Sequence, residues 1–278
     1  MSTSRDTSRT RQAEEKCIPI VSLEPQLREW CIRVLVAEKT PVRTLQSGKT
    51  QLKLVFIDNE HTKIQCIVFH PDAPDLNEVL KLYKTYYIGN GKIIPLNRNF
   101  PIMVDYKYQM ILNRSAYIKA TEKEEELPLD NIYQLTPFAQ FPDFMGSSED
   151  RVDVLCSVIH FHPVHFVATK GKNVQEFVIV NQERCPMLLS LWEESLHEEG
   201  QRLVNNIHKN PVILATRLAV TSFHGISVNA QPNSVLLFDA PIAEARELES
   251  WVIQFSFILA IAPPFGLLFI IVFFHSEE

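Results

Sequence analysis

The sequence has no phosphate-wrapping glycine loop. Its densest glycine run, Gly89-Asn90-Gly91-Lys92, carries a lysine but lacks the G-x-x-x-x-G-K-[ST] spacing with which backbone amides surround a phosphate. The nucleophile elbow G-x-S-x-G and the zinc-binding H-E-x-x-H are also missing. No catalytic residue is therefore named, and an enzyme is not expected. The cysteines are Cys17, Cys31, Cys66, Cys156 and Cys185, an odd number with no C-x-x-C pair and no signal segment ahead of them. That usage excludes a disulfide framework and a zinc ribbon and fits a reduced intracellular protein. One histidine cluster stands out, His160, His162 and His165. Residues 160 and 162 share one face of a strand, but no carboxylate or cysteine is arranged nearby. The cluster reads as a strand end running into a proline turn, and no metal or other cofactor is expected.

A uniform excess of one charge is lacking too. The net charge of −6 hides an asymmetry, because residues 17–120 carry 14 Lys and Arg against 9 Asp and Glu, and residues 121–278 carry 9 against 21. The first half suits a polyanion, and the second does not on net charge alone.

The globular composition, 46% hydrophobic and 22% charged, leaves room in 278 residues for two domains. Residues 1–16 are polar and read as a disordered tail. Residues 17–120 read as strands with one short helix, Asp75 to Leu82, between the third and fourth. The strand candidates include Trp30–Val36, Gln51–Asp58 and Lys63–Phe69, with Asn59 to Thr62 as a turn and Gly89 and Gly91 as a turn or kink. Residues 121–135 form an acidic linker. Residues 136–251 repeat the order, with strands at 152–161, 177–180, 187–192, 211–219 and 226–238, a helix at 195–207 and a terminal helix at 241–251. The expected class is all-β with short helices, as two tandem five-stranded Greek-key barrels of the oligonucleotide-binding (OB) kind. Residues 252–278 are a hydrophobic tail. Trp251 to Phe274 holds no charged residue and is long enough to cross a bilayer, although Gln254, Ser256 and Pro263-Pro264 weaken it as a spanning helix. It reads either as a membrane anchor or as a tail without that role.

The repeat extends to the aromatics. Strand-turn-strand Lys53–Phe69 is followed 31 residues on by Phe100, and Phe177–Trp192 is followed 31 residues on by Phe223. Flat rings on an open sheet face can stack on unpaired bases, with cations beside them for the phosphates. Phe69 and Phe100 lie among Lys39, Arg43, Lys49, Lys53, Lys92 and Arg98, and Trp192 and Phe223 have Lys170, Lys172 and Arg217. For one aromatic a core position is the simpler reading. Two pairs at matching positions favour stacking.

The segments SLEPQLREWCIRVLVAEKTPVRT, IVFH and YYIGNGKIIPLNRNF resemble the first DNA-binding OB fold of the large (70 kDa) subunit of replication protein A. VDVLCSVI, LLSLWEE, PVILATRLAVTSFHG and LESW are similar to the next fold of that subunit. The resemblance implies non-catalytic binding of single-stranded DNA in replication, repair or recombination, in the nucleus, through a groove across both domains. It implies base stacking by Phe69, Phe100, Trp192 and Phe223. It places Arg43 and Arg98 beside the first pair, and Lys170 and Lys172 in the corresponding loop of the second fold. Other subunits of this type are the further partners it implies, although the segment corresponding to the assembly helix is not in the sequence. The chain departs from the family at Gln65 and Leu35, and at Thr216 and Ala219, where the family has cations. A protein-interaction module that binds nucleic acid weakly or not at all, tethered by the tail to a membrane, is the competing expectation.

Overall fold

The computed structural model describes residues 17–121, 132–147, 150–193, 195–222 and 225–261, the side chains of 255–261 excepted. The chain divides into two units, Met1–Ile132 and Tyr133–Glu278.

The first unit contains β1 (Cys31–Lys39), β2 (Arg43–Thr44), β3 (Thr50–Ile57), β4 (Lys63–Phe69), β5 (Thr85–Gly89), β6 (Lys92–Pro95), β7 (Tyr108–Leu112) and β8 (Tyr117–Ala120). They form a curled sheet in the order β6-β7-β4-β3-β1-β5-β8, with β2 added to β3. The two-residue period of the strands decides what is inside. Ile32, Val34 and Val36 of β1, Leu52, Leu54 and Phe56 of β3, and Ile64, Cys66 and Val68 of β4 build one core. The alternate residues of β3 and β4 face outward, and they carry the candidate site.

The β3–β4 turn forms because Asp58 satisfies its backbone. Its Oδ1 accepts hydrogen bonds from the amides of Glu60 (3.0 Å) and Thr62 (2.9 Å). The glycines at 89 and 91 act differently from the expected turn. The left-handed φ of 60° falls on Asn90. A Cβ on Gly89 would stand 2.7 Å from the Trp30 carbonyl oxygen, and one on Gly91 2.7 Å from Leu112, so these glycines permit close approach. The helix runs Ala73–Val79 and starts two residues earlier than expected, because Pro74 has the φ that a first helical turn requires.

The second unit repeats the order with β9 (Val152–Phe161), β10 (His165–Val167), β11 (Lys172–Val180), β12 (Met187–Trp192), β13 (Val212–Thr221), β14 (Ser227–Asn229) and β15 (Val235–Phe238). Here β9 pairs with both β11 and β13, which closes the ring β9-β11-β12-β14-β13. The parallel contact that marks the Greek key occurs in both units, between β4 and β7 and between β12 and β14. The expected architecture of two tandem OB folds is thus present, as a closed five-stranded barrel in the second unit and a curled, open sheet in the first. The helix expected at 195–207 is a π turn (Leu196–Gly200), an α-helix (Gln201–Asn206) and a 3-10 turn (Ile207–Lys209). The terminal helix, Ala243–Ile261, continues past Trp251 into the apolar stretch read as a tail, where no proline stops it before Pro263. No helix among the described residues is long and apolar enough to cross a membrane, and residues 262–278 lie outside the described residues.

Candidate nucleic-acid interface

The outward face of the first unit is a short lattice of strand rows. Directly paired residues on adjacent strands share a face. Arg43, Gln51 and Phe69 form one row across β2, β3 and β4. Lys53, Ile67, Ile111 and Lys92 form the next, across β3, β4, β7 and β6. Val55 and Gln65 belong to the third row. The surface therefore has a half-buried apolar floor with cations at both margins and Phe69, 44% exposed, at one end.

Phe100 reaches this face from the loop between β6 and β7 and is 67% exposed. The loop is tied to the sheet. The Met103 amide donates to Gln65 Oε1 at 2.8 Å, and Lys53 Nζ donates to the Pro101 carbonyl at 3.4 Å. Arg98 pairs with Asp105 at 2.5 Å, both largely exposed. An exposed pair of this kind is worth at most about 1 kcal/mol, so Arg98 can exchange it for a phosphate. Lys49 is exposed at the β2–β3 turn, where its carbonyl accepts from the Leu45 amide at 2.8 Å.

Lys39, expected to face a phosphate, has a structural task. Its ammonium donates to the carbonyls of Asn77 (2.6 Å) and Leu80 (2.7 Å), at the C-terminal end of the helix, where backbone oxygens lack helical partners. Burial, with a smaller contribution from nearby Lys81, pulls its pKa down to about 8, against the opposing pull of Glu78. Lys39→Met is expected to lower stability by about 1 kcal/mol and to leave nucleic-acid affinity within about twofold, as urea unfolding and oligonucleotide titration would show. Because the folded pKa lies below the unfolded one, the unfolded chain holds the extra proton between about 8 and 10.5. Wild-type stability should therefore rise relative to Lys39→Met as pH climbs through that window.

In the second unit His165, Val174 and Trp192 form a row across β10, β11 and β12. Trp192 ends β12 as Phe69 ends β4. Its Nε1 donates to Asn229 Oδ1 at 3.0 Å, and Asn229 is steadied by donating to Thr221 Oγ1 at 2.8 Å. The Lys170 ammonium lies 4.3 Å from the centre of the Trp192 ring, a cation–π contact. Lys172 is exposed on β11 beside Val167. Arg217 bonds within its own fold. It occupies a bulge of β13 with φ 55°, its amide donates to Asp153 Oδ1 (2.9 Å), and its Nε donates to the Asn233 carbonyl (2.8 Å). These bonds fix the bulge and engage Nε of the side chain. Phe223 lies outside the described residues. Glu176 shares the outward face with Trp192 by strand alternation, which lowers the positive potential there.

Sequence reading missed Gln109 and Asn229. Both are neutral, and only their contacts across strands distinguish them. Among the described residues no group of three or more His, Cys, Asp or Glu is placed to hold a metal ion, and the His160 and His162 rings meet edge-on with centres 5.5 Å apart.

A solved structure of a replication protein A heterotrimer bound to single-stranded DNA aligns with 85% of this chain and 55% of its own, at a TM-score of 0.70 and 18% identity, and establishes the shared fold. In sequence, the chain is 27% identical over 240 residues to a replication protein A 70 kDa DNA-binding subunit of Oryza sativa subsp. japonica. The chain resembles the replication protein A large subunit. The match to a 70 kDa DNA-binding subunit of Arabidopsis thaliana is 25% over 240 residues, and that to the Drosophila melanogaster 70 kDa protein is 22% over the same length. Each alignment takes in 84% of this chain, and the chain spans about 38–39% of the length of these replication protein A relatives. No family model matches.

Proposed function

We propose that this chain binds single-stranded DNA through two OB folds, residues 17–120 and 136–251, and that it serves DNA replication, repair or recombination in the nucleus. The observation that carries the reading is the outward face of β3 and β4, where Phe69 and the loop-borne Phe100 stand exposed between cationic margins. A base stacks on a ring there while Lys49, Lys92 and Arg98 meet its phosphates, and stacking by itself does not select one base over another. The first fold supplies most of the affinity. In the second fold Lys170 moves from the Trp192 ring to a phosphate as a base takes its place, and Lys172 adds a second cation. The replication protein A relatives are named as DNA-binding subunits, which supports the reading. Assembly with other subunits of that type belongs to it as well, since the structural relative is a heterotrimer.

Titration of the purified chain against labelled oligo-dT, a duplex of equal length and an RNA oligomer at low salt tests the proposal. Tight binding of oligo-dT with much weaker binding of duplex is expected, because the faces of paired bases are not available to the rings. No binding of oligo-dT at low salt would overturn it in favour of a protein-interaction module.

A further inference from the structure

The position at which the resemblance implies an arginine holds Gln65, and its side chain is engaged elsewhere. Gln65 is 5% exposed, as is Gln109 on the neighbouring strand β7. A buried amide side chain is costly unless its donors and acceptor find partners. The Met103 amide can only donate, so Gln65 presents its oxygen there, at 2.8 Å. Its NH2 group is then left to donate to Gln109 Oε1, at 2.7 Å. One side chain thus joins three segments: β4, β7 and the loop that carries Phe100. The second tie, Lys53 Nζ to the Pro101 carbonyl, lies next to Phe100 itself.

We propose that Gln65 and Gln109 form a latch that holds the Phe100 loop in its base-receiving position before nucleic acid arrives. Gln65 is a positioning residue in this scheme and touches no base. The chain has a loop anchor where a phosphate contact is implied for its relatives, and affinity gained by ordering the loop in advance takes the place of affinity from charge. A loop that must be ordered on binding loses conformational entropy at that moment, and a loop ordered beforehand does not. The inference rests on the reading of Phe100 as a stacking residue.

Two measurements on the full chain test it. In amide hydrogen exchange the Met103 amide is expected to be protected. Gln65→Leu should speed its exchange at least about tenfold while β4 keeps its protection, since one hydrogen bond is lost and the strand ladder is not. In oligo-dT titrations Gln65→Leu should bind about five- to tenfold more weakly. In a Phe100→Ala background the same substitution should have no further effect, because a residue that acts only through Phe100 has nothing left to position. Gln109→Leu, which leaves β4 untouched, should give the same pattern. Gln109→Glu retains an acceptor for the Gln65 amide and should keep Met103 protected. The latch is overturned if Met103 in the wild type exchanges as fast as exposed loop amides. Its positioning role is overturned if Gln65→Leu weakens binding equally with and without the Phe100 ring. Absence of oligo-dT binding by the wild type overturns the DNA reading and the receiving role together, while the exchange arm reports the latch separately.

Discussion

Phe69→Ala combined with Phe100→Ala is expected to weaken oligo-dT binding by roughly thirtyfold at the least. Base–aromatic stacking is worth about 1–3 kcal/mol per base, a range established for single-strand-binding proteins of this fold, replication protein A among them, and borrowed here. Two lost stacks amount to about 2–6 kcal/mol, and each 1.4 kcal/mol is about tenfold, which spans roughly thirtyfold to ten-thousandfold. The fold should survive. Phe69 and Phe100 are 44% and 67% exposed, neither belongs to the core cluster, and β4 keeps its pairing to β3 through backbone groups that the substitutions leave alone. Fluorescence anisotropy gives the affinity, and thermal unfolding of the same sample confirms the fold. A double variant that melts like the wild type and binds like the wild type would sink the stacking scheme, since no exposed ring would then be needed.

Raising the salt from 50 to 200 mM should weaken oligo-dT binding by on the order of a hundredfold. The size of the effect follows from the number of cations that can reach phosphate. Lys39 is held by carbonyl oxygens at the end of a helix, and the Arg217 side chain donates through Nε to the Asn233 carbonyl. Lys49, Lys92 and Lys172 are exposed, Arg98 is in a weak surface pair, and Lys170 rests on a ring. About five phosphate contacts give a slope of log K against log salt near −3.5 for a single strand, and a fourfold rise in salt then costs about two powers of ten. Lys92→Ala should make the slope shallower by about 0.7, whereas Lys39→Met should leave it unchanged. A wild-type slope shallower than about −1 would mean that few phosphates are neutralised, and the assignment of the cationic margins would fail.

The latch and the salt slope bear on one question. The second unit has Glu176 on the face that carries Trp192, and the first unit has a neutral glutamine where the resemblance implies an arginine. Fewer phosphate contacts than in a fully basic groove are therefore expected, with relatively more of the affinity coming from rings and from a loop ordered in advance.

Much of the fold was legible in the sequence because strands announce themselves locally. The alternation Leu52, Leu54, Phe56 and then Ile64, Cys66, Val68 dictates which side of the hairpin is buried, and the same two-residue period brings Phe69 out on the opposite side. The echo of that hairpin before Trp192 dictated a second unit of the same order, and Trp192 does end β12 as Phe69 ends β4. The helix at 73–79 and the long terminal helix were legible in kind but not in extent, since a proline favours a helix start without marking its end.

The task of each polar residue on the face became visible only in three dimensions, and the reason is distance along the chain. Lys39 meets acceptors 38 and 41 residues away, and Gln65 meets Met103 and Gln109 at separations of 38 and 44. A lysine near an aromatic in sequence looks the same whether its ammonium faces a phosphate or caps a helix, and a glutamine in place of an arginine looks only like a lost charge. Periodicity is a property of neighbouring residues and carries no information about which loop folds back over a strand. Local pattern was enough for two OB folds and for the places of Phe69 and Trp192 at the ends of their strands. Only the tertiary structure brings Lys39 to the helix end and folds the β6–β7 loop onto β4 and β7, where Gln65 bonds both Met103 and Gln109.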